Sequence, residues 1–147
     1  MIDGNRGSPL SRIARGKSKF LQDDRGNLDV LDIVDYAPFR PVRMFWISGV
    51  APGAARGGHA HKACSQFLVC ISGRIQVDAF DGAVSRTFLM QHGEFLNLVP
   101  GIFATETFLE EGSVLLVLCD RPYEQDDYIY DRDLLVSQAS QDSAGCK

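Results

Sequence analysis

Two of the three histidines in this chain are separated by a single residue, in the stretch His59-Ala60-His61. Residues two apart on a strand point to the same face, so an extended backbone here sends both imidazoles into one space. The preceding loop, 52–58, contains three glycines, which let backbone approach a ligand closely. Such a pair can bind a metal or pass protons near neutral pH, and two surface histidines beside a loop are the remaining interpretation.

Composition and charge narrow the class of protein. The chain has 147 residues, 45% hydrophobic and 23% charged, as expected for one globular domain. A formal net charge of −4 provides no basic surface, so no nucleic-acid partner is expected. Apolar runs such as 114–119 are too short to cross a bilayer, and the charged N-terminus lacks the apolar stretch of a secretory signal. We expect no membrane association and a cytoplasmic location.

The cysteines fit the same compartment. Cys64, Cys70, Cys119 and Cys146 form no Cys-x-x-Cys pair, and three of them lie in apolar, strand-like runs. We therefore expect buried, reduced thiols and no catalytic cysteine.

Short runs of β-branched and aromatic residues, separated by turn residues, dominate the middle of the chain. We expect strands over 28–33, 42–50, 67–71, 75–80, 84–89, 94–99, 103–108 and 114–118 and one short helix near 131–137. No long amphipathic helical stretch separates the strands, which argues against a βαβ fold and for an all-β sandwich, jelly roll or barrel. The polar ends predict a flexible extension over 1–18 and a flexible tail over 137–147, around a domain at 19–136.

The stretch GGHAHKACSQFLVCISG resembles the first cupin motif, with His59 and His61 at its histidine positions and Gly73 at its closing glycine. This resemblance implies an all-β cupin, a jelly-roll β-barrel of the RmlC type. Gln66 stands where the motif has a glutamate, and the second-motif stretch GEFLNLVPGIFATET has no histidine after Gly101. Because a catalytic metal usually has at least three protein ligands, we expect neither a metal nor another cofactor.

The segment RGGHAHK at 56–62 narrows the resemblance to one family. It is similar to the nucleotide-sugar 3,4-ketoisomerases, cupins related to the WxcM C-terminal domain. Further matching pieces follow in order over about 19–135: RGNL at 25–28, PF at 38–39, RMFWI at 43–47, LLVL at 115–118, Tyr123 and DYI at 127–129. The resemblance implies a homodimeric isomerase of deoxyamino-sugar biosynthesis, which moves the keto group of a dTDP-4-keto-6-deoxyhexose from C4 to C3 through an enediol.

The resemblance also implies roles for individual residues. His59 is assigned as the base that removes the C3 proton, and His61 as the relay between the C3 and C4 oxygens, since imidazole takes and returns protons near neutral pH. Contacts to the dTDP-sugar are expected from arginines, an amide and two aromatic rings, namely Arg25, Arg43, Arg56, Gln66, Phe103 and Tyr123.

Some positions depart from the family pattern. Phe103 and Thr105 replace a tryptophan and a glutamate, Tyr130 replaces an arginine, and Phe45 stands where a tyrosine is common. These departures motivate an alternative hypothesis, a catalytically silent cupin that binds sugar nucleotides. A metal-dependent cupin enzyme and a deoxysugar epimerase are further alternatives.

Overall fold

Two five-stranded antiparallel sheets make up most of the protein, and a separate hairpin stands beside them. The computed structural model describes residues 8–145. The strands are β1 (Arg15–Lys17), β2 (Lys19–Asp23), β3 (Gly26–Val30), β4 (Arg43–Ile47), β5 (Ala55–His61), β6 (Gln66–Ser72), β7 (Arg74–Phe80), β8 (Ser85–Gln91), β9 (Glu94–Leu98), β10 (Phe103–Phe108), β11 (Val114–Cys119) and β12 (Tyr128–Ile129). The α-helices are α1 (Ile33–Tyr36) and α2 (Arg132–Ala144), and short 3-10 turns span Pro9–Arg12 and Gln125–Asp127.

Side chains from both sheets form one core, so the two sheets lie face to face. The first sheet has the order β1-β9-β6-β11-β4 and the second the order β12-β5-β10-β7-β8. The expected all-β class is confirmed. In the part of the chain that the structure describes, the sheets pack as a sandwich and their edges are not joined into a closed barrel.

Strand alternation fills the space between the sheets with apolar side chains. From β6 and β11, Leu68, Cys70, Leu115 and Val117 point into this core, and their sequence neighbours point out. The outward side chains form a second cluster, with Phe67 and Phe95 at its centre, which the segment 31–39 covers. Both faces of the central strands β6 and β11 are therefore largely buried, which explains why these two strands are almost continuously apolar in sequence.

Helix α2 covers the outer face of the second sheet. Leu135 from the helix packs against Ala60, Phe103 and Ile129, while the rest of the helix is largely exposed. Asp131 caps the helix by accepting a hydrogen bond from the backbone N–H of Asp133, which matches the predicted start. The helix then continues to Ala144, seven residues beyond the predicted end at 137.

The N-terminal boundary of the fold lies earlier than the sequence indicates. Strand β1 pairs with β9, with Arg15 opposite Leu96, and Leu10 is 3% exposed in the main core. The predicted flexible extension over 1–18 therefore includes residues that belong to the sandwich. The signal was weak because a three-residue strand and one apolar anchor show no periodicity. Residues 1–7 of that extension, and Cys146 in the C-terminal tail, lie outside the described residues.

The hairpin β2–β3 pairs with no other strand of the described chain, and all ten of its residues are exposed. Its exposed apolar side chains are Phe20, Leu21, Leu28 and Val30. Strand β4, at the edge of the first sheet, exposes Met44 and Trp46 as well. None of the helices in residues 8–145 is both long enough and apolar enough to span a membrane.

Candidate active site

The two histidines lie at the end of β5, between two other strands of the second sheet. His59 is opposite Ala104 of β10, and His61 is opposite Tyr128 of β12. Ala60 between them points to the outer face, so both imidazoles point into the sandwich, as the spacing predicts. Their ring centroids are 5.0 Å apart and their planes are perpendicular.

Asp127 forms a hydrogen bond with the Nδ1 side of the His61 ring. Its Oδ2 lies 2.8 Å from His61 Nδ1, and its two oxygens also accept hydrogen bonds from the backbone N–H groups of Ala63 and Cys64. Burial alone would raise the pKa of Asp127, but the hydrogen bond with His61 and those from the backbone lower it below the usual value. The ionised carboxylate fixes the tautomer with the proton on Nδ1 and leaves Nε2 of His61 as an acceptor.

His59 is partly buried and remains neutral over a wide pH range. Desolvation, followed by the nearby ring of His61, lowers the pKa of His59 to about 4, against an opposing contribution from the Gly57 carbonyl. At neutral pH its lone pair is therefore available to take a proton.

Tyrosine rings cover the histidine pair. The Tyr128 ring lies 4.7 Å from the His59 ring and 4.6 Å from the His61 ring. Tyr130 stacks on Tyr128 at 5.8 Å and reaches within 6.0 Å of His59, and Tyr123 lies 5.7 Å from Tyr128 on another side. Because Tyr123 and Tyr130 are exposed, they form the solvent side of the site.

Arg43 extends this aromatic cluster into the sandwich. Its guanidinium lies 5.7 Å from the Tyr123 ring, and its Nη2 donates to Cys119 Sγ at 3.3 Å. A hydrogen bond from Cys64, together with the Arg43 contact and a hydrogen bond from Gln66, outweighs burial and lowers the pKa of Cys119 below the usual value of a thiol. The nearby Nε of Arg43 is buried and has no partner among the described residues.

A buried carboxyl group, Glu106, lies on the inner face of β10 and lines the same pocket as the histidines. The residue is 8% exposed, and burial raises the pKa of its side chain to about 7. Gly57 makes room for it, because a Cβ on this left-handed glycine (φ +81°) would overlap the Glu106 carboxyl. The glycine-rich approach that the sequence assigns to a ligand is therefore used here by a side chain of the protein.

The predicted contact residues divide into two groups. Gln66 lines the histidine pocket, and Arg43 and Tyr123 belong to the adjoining cluster. Arg56 lies on β5 but its side chain is exposed. Arg25 lies in the turn of the hairpin, paired with Asp23 at 2.5 Å, and the structure of one chain does not bring it to the histidines.

Phe103 also differs from its predicted place. Its ring belongs to the outer face of the second sheet, against Ala60 and Leu135, with the Arg132 guanidinium 5.2 Å away. The reason is strand alternation: on β10 the inward positions are those of Ala104 and Glu106.

Sequence reasoning missed three residues of this site, Asp127, Tyr128 and Glu106. The first two belong to the DYI match, but their place beside His61 depends on the long-range pairing of β12 with β5, which brings Asp127 to a residue 66 positions earlier in the chain. Glu106 could have been found as the one charged residue of a strand whose other members are apolar or threonine.

The residues present do not fit the metal centre of a typical cupin. Gln66 replaces the carboxylate ligand, and its amide Nε2 donates to Cys119 Sγ at 3.7 Å. One other group of donor atoms, from His61, Cys64 and Asp127, lies within 4.8 Å. The hydrogen bonds of Asp127 to His61 and to the backbone account for that approach, and they use the oxygens that a metal would need.

This fold and site define the class of protein: a cupin-type β-sandwich with a pair of histidines in its interior. The chain also matches the family model "FdtA: WxcM-like, C-terminal" over residues 12–139. The chain belongs to this family, as the resemblance of its motifs indicates.

Named relatives agree with this membership. The TDP-4-oxo-6-deoxy-alpha-D-glucose-3,4-oxoisomerase of Aneurinibacillus thermoaerophilus is 29% identical over 112 residues, which are 76% of this chain and 81% of that protein. The sugar 3,4-ketoisomerase QdtA of Thermoanaerobacterium thermosaccharolyticum, solved with TDP, superposes with a TM-score of 0.81 at 27% identity, over 90% of this chain and 98% of that one. A 3,4-ketoisomerase from Helicobacter canadensis gives 0.79 at 25% identity, over 88% and 98%. The expected enzyme class, a sugar-nucleotide 3,4-ketoisomerase, is confirmed.

Proposed function

We propose that this enzyme moves the keto group of a dTDP-4-keto-6-deoxyhexose from C4 to C3, as a step in deoxyamino-sugar biosynthesis. The observation that carries the proposal is the pair of inward-facing imidazoles, one neutral and one held by a buried carboxylate. The relatives support the substrate class, since one is named for TDP-4-oxo-6-deoxyglucose and QdtA was solved with TDP.

In the proposed reaction His59 removes the proton from C3, which the neighbouring ketone makes acidic. The electron pair of that C–H bond forms the C3–C4 double bond, which leaves the negative charge of an enediolate on the C4 oxygen. The C3 hydroxyl gives its proton to His61, which passes it to the C4 oxygen; the C3 oxygen becomes the ketone as C4 accepts a proton from the His59 imidazolium. Two protons have moved, one between the carbons and one between the oxygens, and no redox cofactor is required.

His61 is proposed as the relay between the two oxygens. Asp127 holds the Nδ1 proton, so Nε2 can accept the proton from the C3 oxygen and return one to the C4 oxygen. The carboxylate stabilises the imidazolium that forms for part of the cycle. Tyr128, in contact with both rings, keeps them at a fixed relative orientation.

The nucleotide is proposed to bind on the tyrosine side of the site. Tyr123 is 62% exposed beside the Arg43 guanidinium, an arrangement that offers a stacking surface next to a positive charge. Arg56 is exposed at the start of the same strand that ends in the histidines, and its charge is available for the diphosphate.

A homodimer is proposed from the exposed apolar side chains of the hairpin and of β4. Edge strands with exposed Met44 and Trp46 favour pairing with a second copy. Burial of the hairpin against that copy is also the arrangement that could bring Arg25 to a histidine pocket. The three buried thiols, Cys64, Cys70 and Cys119, are unpaired, which fits the proposed cytoplasmic location.

One observation favours a second candidate function, a silent sugar-nucleotide-binding protein. Tyr130, at a position where the family usually has arginine, lies 6.0 Å from the His59 ring. A substrate contact that depends on arginine would be lost there. Binding of dTDP-sugars without turnover is the expected behaviour of such a protein.

The test of the proposed function is incubation of the enzyme with dTDP-4-keto-6-deoxyglucose, followed by NMR of the sugar. We expect the 3-keto isomer from the wild type and from His92→Asn, whose ring is exposed and pairs with Asp29. His59→Asn and His61→Asn should lose turnover by about 10² to 10⁴. Tight binding of the substrate by the wild type without any product would instead favour the silent binder.

A further inference from the structure

Glu106 stands out because the proposed reaction does not use it. The side chain is buried in the sandwich, and in the part of the chain that the structure describes, its own backbone N–H is the sole hydrogen-bond donor near its carboxyl group. Buried carboxyl groups in proteins are almost always paired or hydrogen-bonded. A partner outside the protein atoms is therefore needed.

A second unpartnered group faces the same pocket. Nε2 of His61 is buried and has no hydrogen-bond partner among residues 8–145, while the rest of the ring is fixed by Asp127. His61 and Glu106 both line the small cavity between the sheets, together with His59 and Gln66. The space open to the centre of a water molecule there is about 10 Å³, which is the volume that one water needs.

We propose that one ordered water molecule in this cavity bridges the carboxyl group of Glu106 and Nε2 of His61, and that Glu106 exchanges a proton with His61 through it. The protonated carboxyl donates to the water, and the water donates to Nε2. When the proton moves, the O–H bond of Glu106 breaks, a proton of the water forms the N–H bond at Nε2, and the water is restored. Glu106 is then a carboxylate and His61 an imidazolium, with its Nδ1–H still bonded to Asp127.

The surroundings of Glu106 make a neutral acid the stable form below about pH 7, because burial raises the pKa to about 7. From β5 the titratable groups facing the cavity are His59 and His61, and Cys64 follows in the next loop. Two other charged residues lie near Glu106: Arg56, its partner on β5, has an exposed side chain, and Asp78 of β7 accepts from Thr87 and Gln76 on the outer face.

Glu106 is thus a positioning and proton-exchange residue that acts through His61, and its part in turnover rests on the proposed function. In its ionised form it takes up, through the water, a proton that the imidazole of His61 has gained and that the sugar does not take back. Below the pKa of Glu106 the carboxyl donates a hydrogen bond to the water; above this pKa the donor is lost, and the hydrogen bond between the water and Nε2 changes. The proposal therefore predicts that the state of His61 follows the ionisation of Glu106.

The test uses the whole chain, labelled with ¹⁵N and free of sugar, and records the imidazole nitrogens between pH 5 and 9. The chain has three histidines, so His59→Asn and His92→Asn assign the signals. We expect the Nε2 signal of His61 to shift with a midpoint near pH 7 in the wild type and in Glu110→Gln, which removes an exposed carboxylate. In Glu106→Gln this inflection should be absent. If it persists there, or is missing in the wild type, the proposal is overturned.

Turnover gives a second, independent result. Glu106→Gln should lower kcat by about tenfold or more and remove the limb of the pH profile near 7, with KM little changed. If Glu106→Gln does not fold, Glu106→Asp, which withdraws the carboxyl by one methylene, must shift or abolish the NMR inflection. A wild-type protein that shows the inflection but isomerises no sugar would refute the proposed function and leave the relay intact. A wild-type protein that isomerises the sugar but shows no NMR inflection would refute the relay through Glu106 and leave the proposed function intact.

Discussion

The carboxylate of Asp127 lies 2.8 Å from Nδ1 of His61, although 66 positions separate the two residues in the chain. The contact exists because β12 pairs with the end of β5 and brings Tyr128 opposite His61. It makes one histidine of the pair different from the other: His61 is oriented and its Nε2 is an acceptor, while His59 is held mainly by packing. The division of labour proposed for the reaction follows from this difference.

Asp127→Asn should impair catalysis far more than binding. An amide cannot stabilise the imidazolium of His61 and can turn its N–H₂ toward Nδ1, which favours the wrong tautomer. We expect turnover to fall by about 10² or more with little change in the affinity for dTDP. Asp126→Asn is the matched control, since Asp126 is the preceding residue in the chain and its side chain is exposed. Equal activities of the two variants would contradict the role given to Asp127.

Stability should depend on His59 between pH 4 and 6.5. A histidine with a folded pKa of about 4 stays neutral where the unfolded chain binds a proton, so folding is weakened as the pH falls through this window. Relative to His59→Asn, the free energy of unfolding of the wild type should drop by on the order of 2 kcal/mol from pH 7 to pH 4, since the ring is only partly buried. Urea unfolding at several pH values measures it, with His92→Asn as the control. A constant difference would show that His59 titrates normally.

Glu106 should produce the opposite trend. Its raised pKa means that the folded state holds a proton that the unfolded chain releases, so its contribution is lost as the pH rises from about 4.5 through 7. Glu106→Gln should therefore gain stability relative to the wild type over that range, by on the order of 3 kcal/mol. Glu110→Gln should show no such trend in the same unfolding series. A Glu106→Gln curve parallel to that of the wild type would mean that the carboxyl is ionised in the fold.

The sequence alone predicts the features of this fold that depend on neighbouring residues, but not those that depend on contacts between residues far apart in the chain. The positions of most of the long strands and the shared face of His59 and His61 depend on local sequence, and both were predicted. The inner and outer faces of β10 were not, because alternation alone does not say which set of residues faces the core, and the pairing of β10 with β5 and β7 settles it. Asp127 was visible as part of a motif, but its partner was set by long-range pairing.

Because Tyr123 is exposed and Phe103 is packed under α2, we expect substitution of the first to affect dTDP binding and substitution of the second to affect stability. Tyr123→Ala should weaken dTDP binding about fivefold to tenfold, since it removes an exposed ring beside Arg43. Phe103→Ala should leave binding almost unchanged but reduce stability by about 3 kcal/mol or more, because the ring packs under α2. Calorimetric titration and thermal unfolding of both variants separate these outcomes. If only Phe103→Ala lost affinity for dTDP, the result would show that Phe103, and not Tyr123, belongs to the nucleotide-binding site.

The homodimer is tested at the exposed edge of β4. Sedimentation of the wild type should give a species of about twice 16.2 kDa at micromolar concentration. Trp46→Lys should shift the protein toward the monomer, whereas Val34→Lys, at a site 89% exposed on α1, should not. A wild type that sediments as a monomer would remove the dimer from the account.

The central claim, proton transfer between C3 and C4 by the histidine pair, is tested most directly by isomerisation in D₂O. The enzyme is incubated with dTDP-4-keto-6-deoxyglucose, and NMR locates deuterium in the sugar ring. Because the proton held by the His59 imidazolium exchanges with D₂O before it is returned, the account predicts a 3-keto product with deuterium at C4, a label at C3 of recovered substrate, and loss of both in His59→Asn. Recovered substrate without deuterium, or an epimer that keeps its ketone at C4, would contradict it.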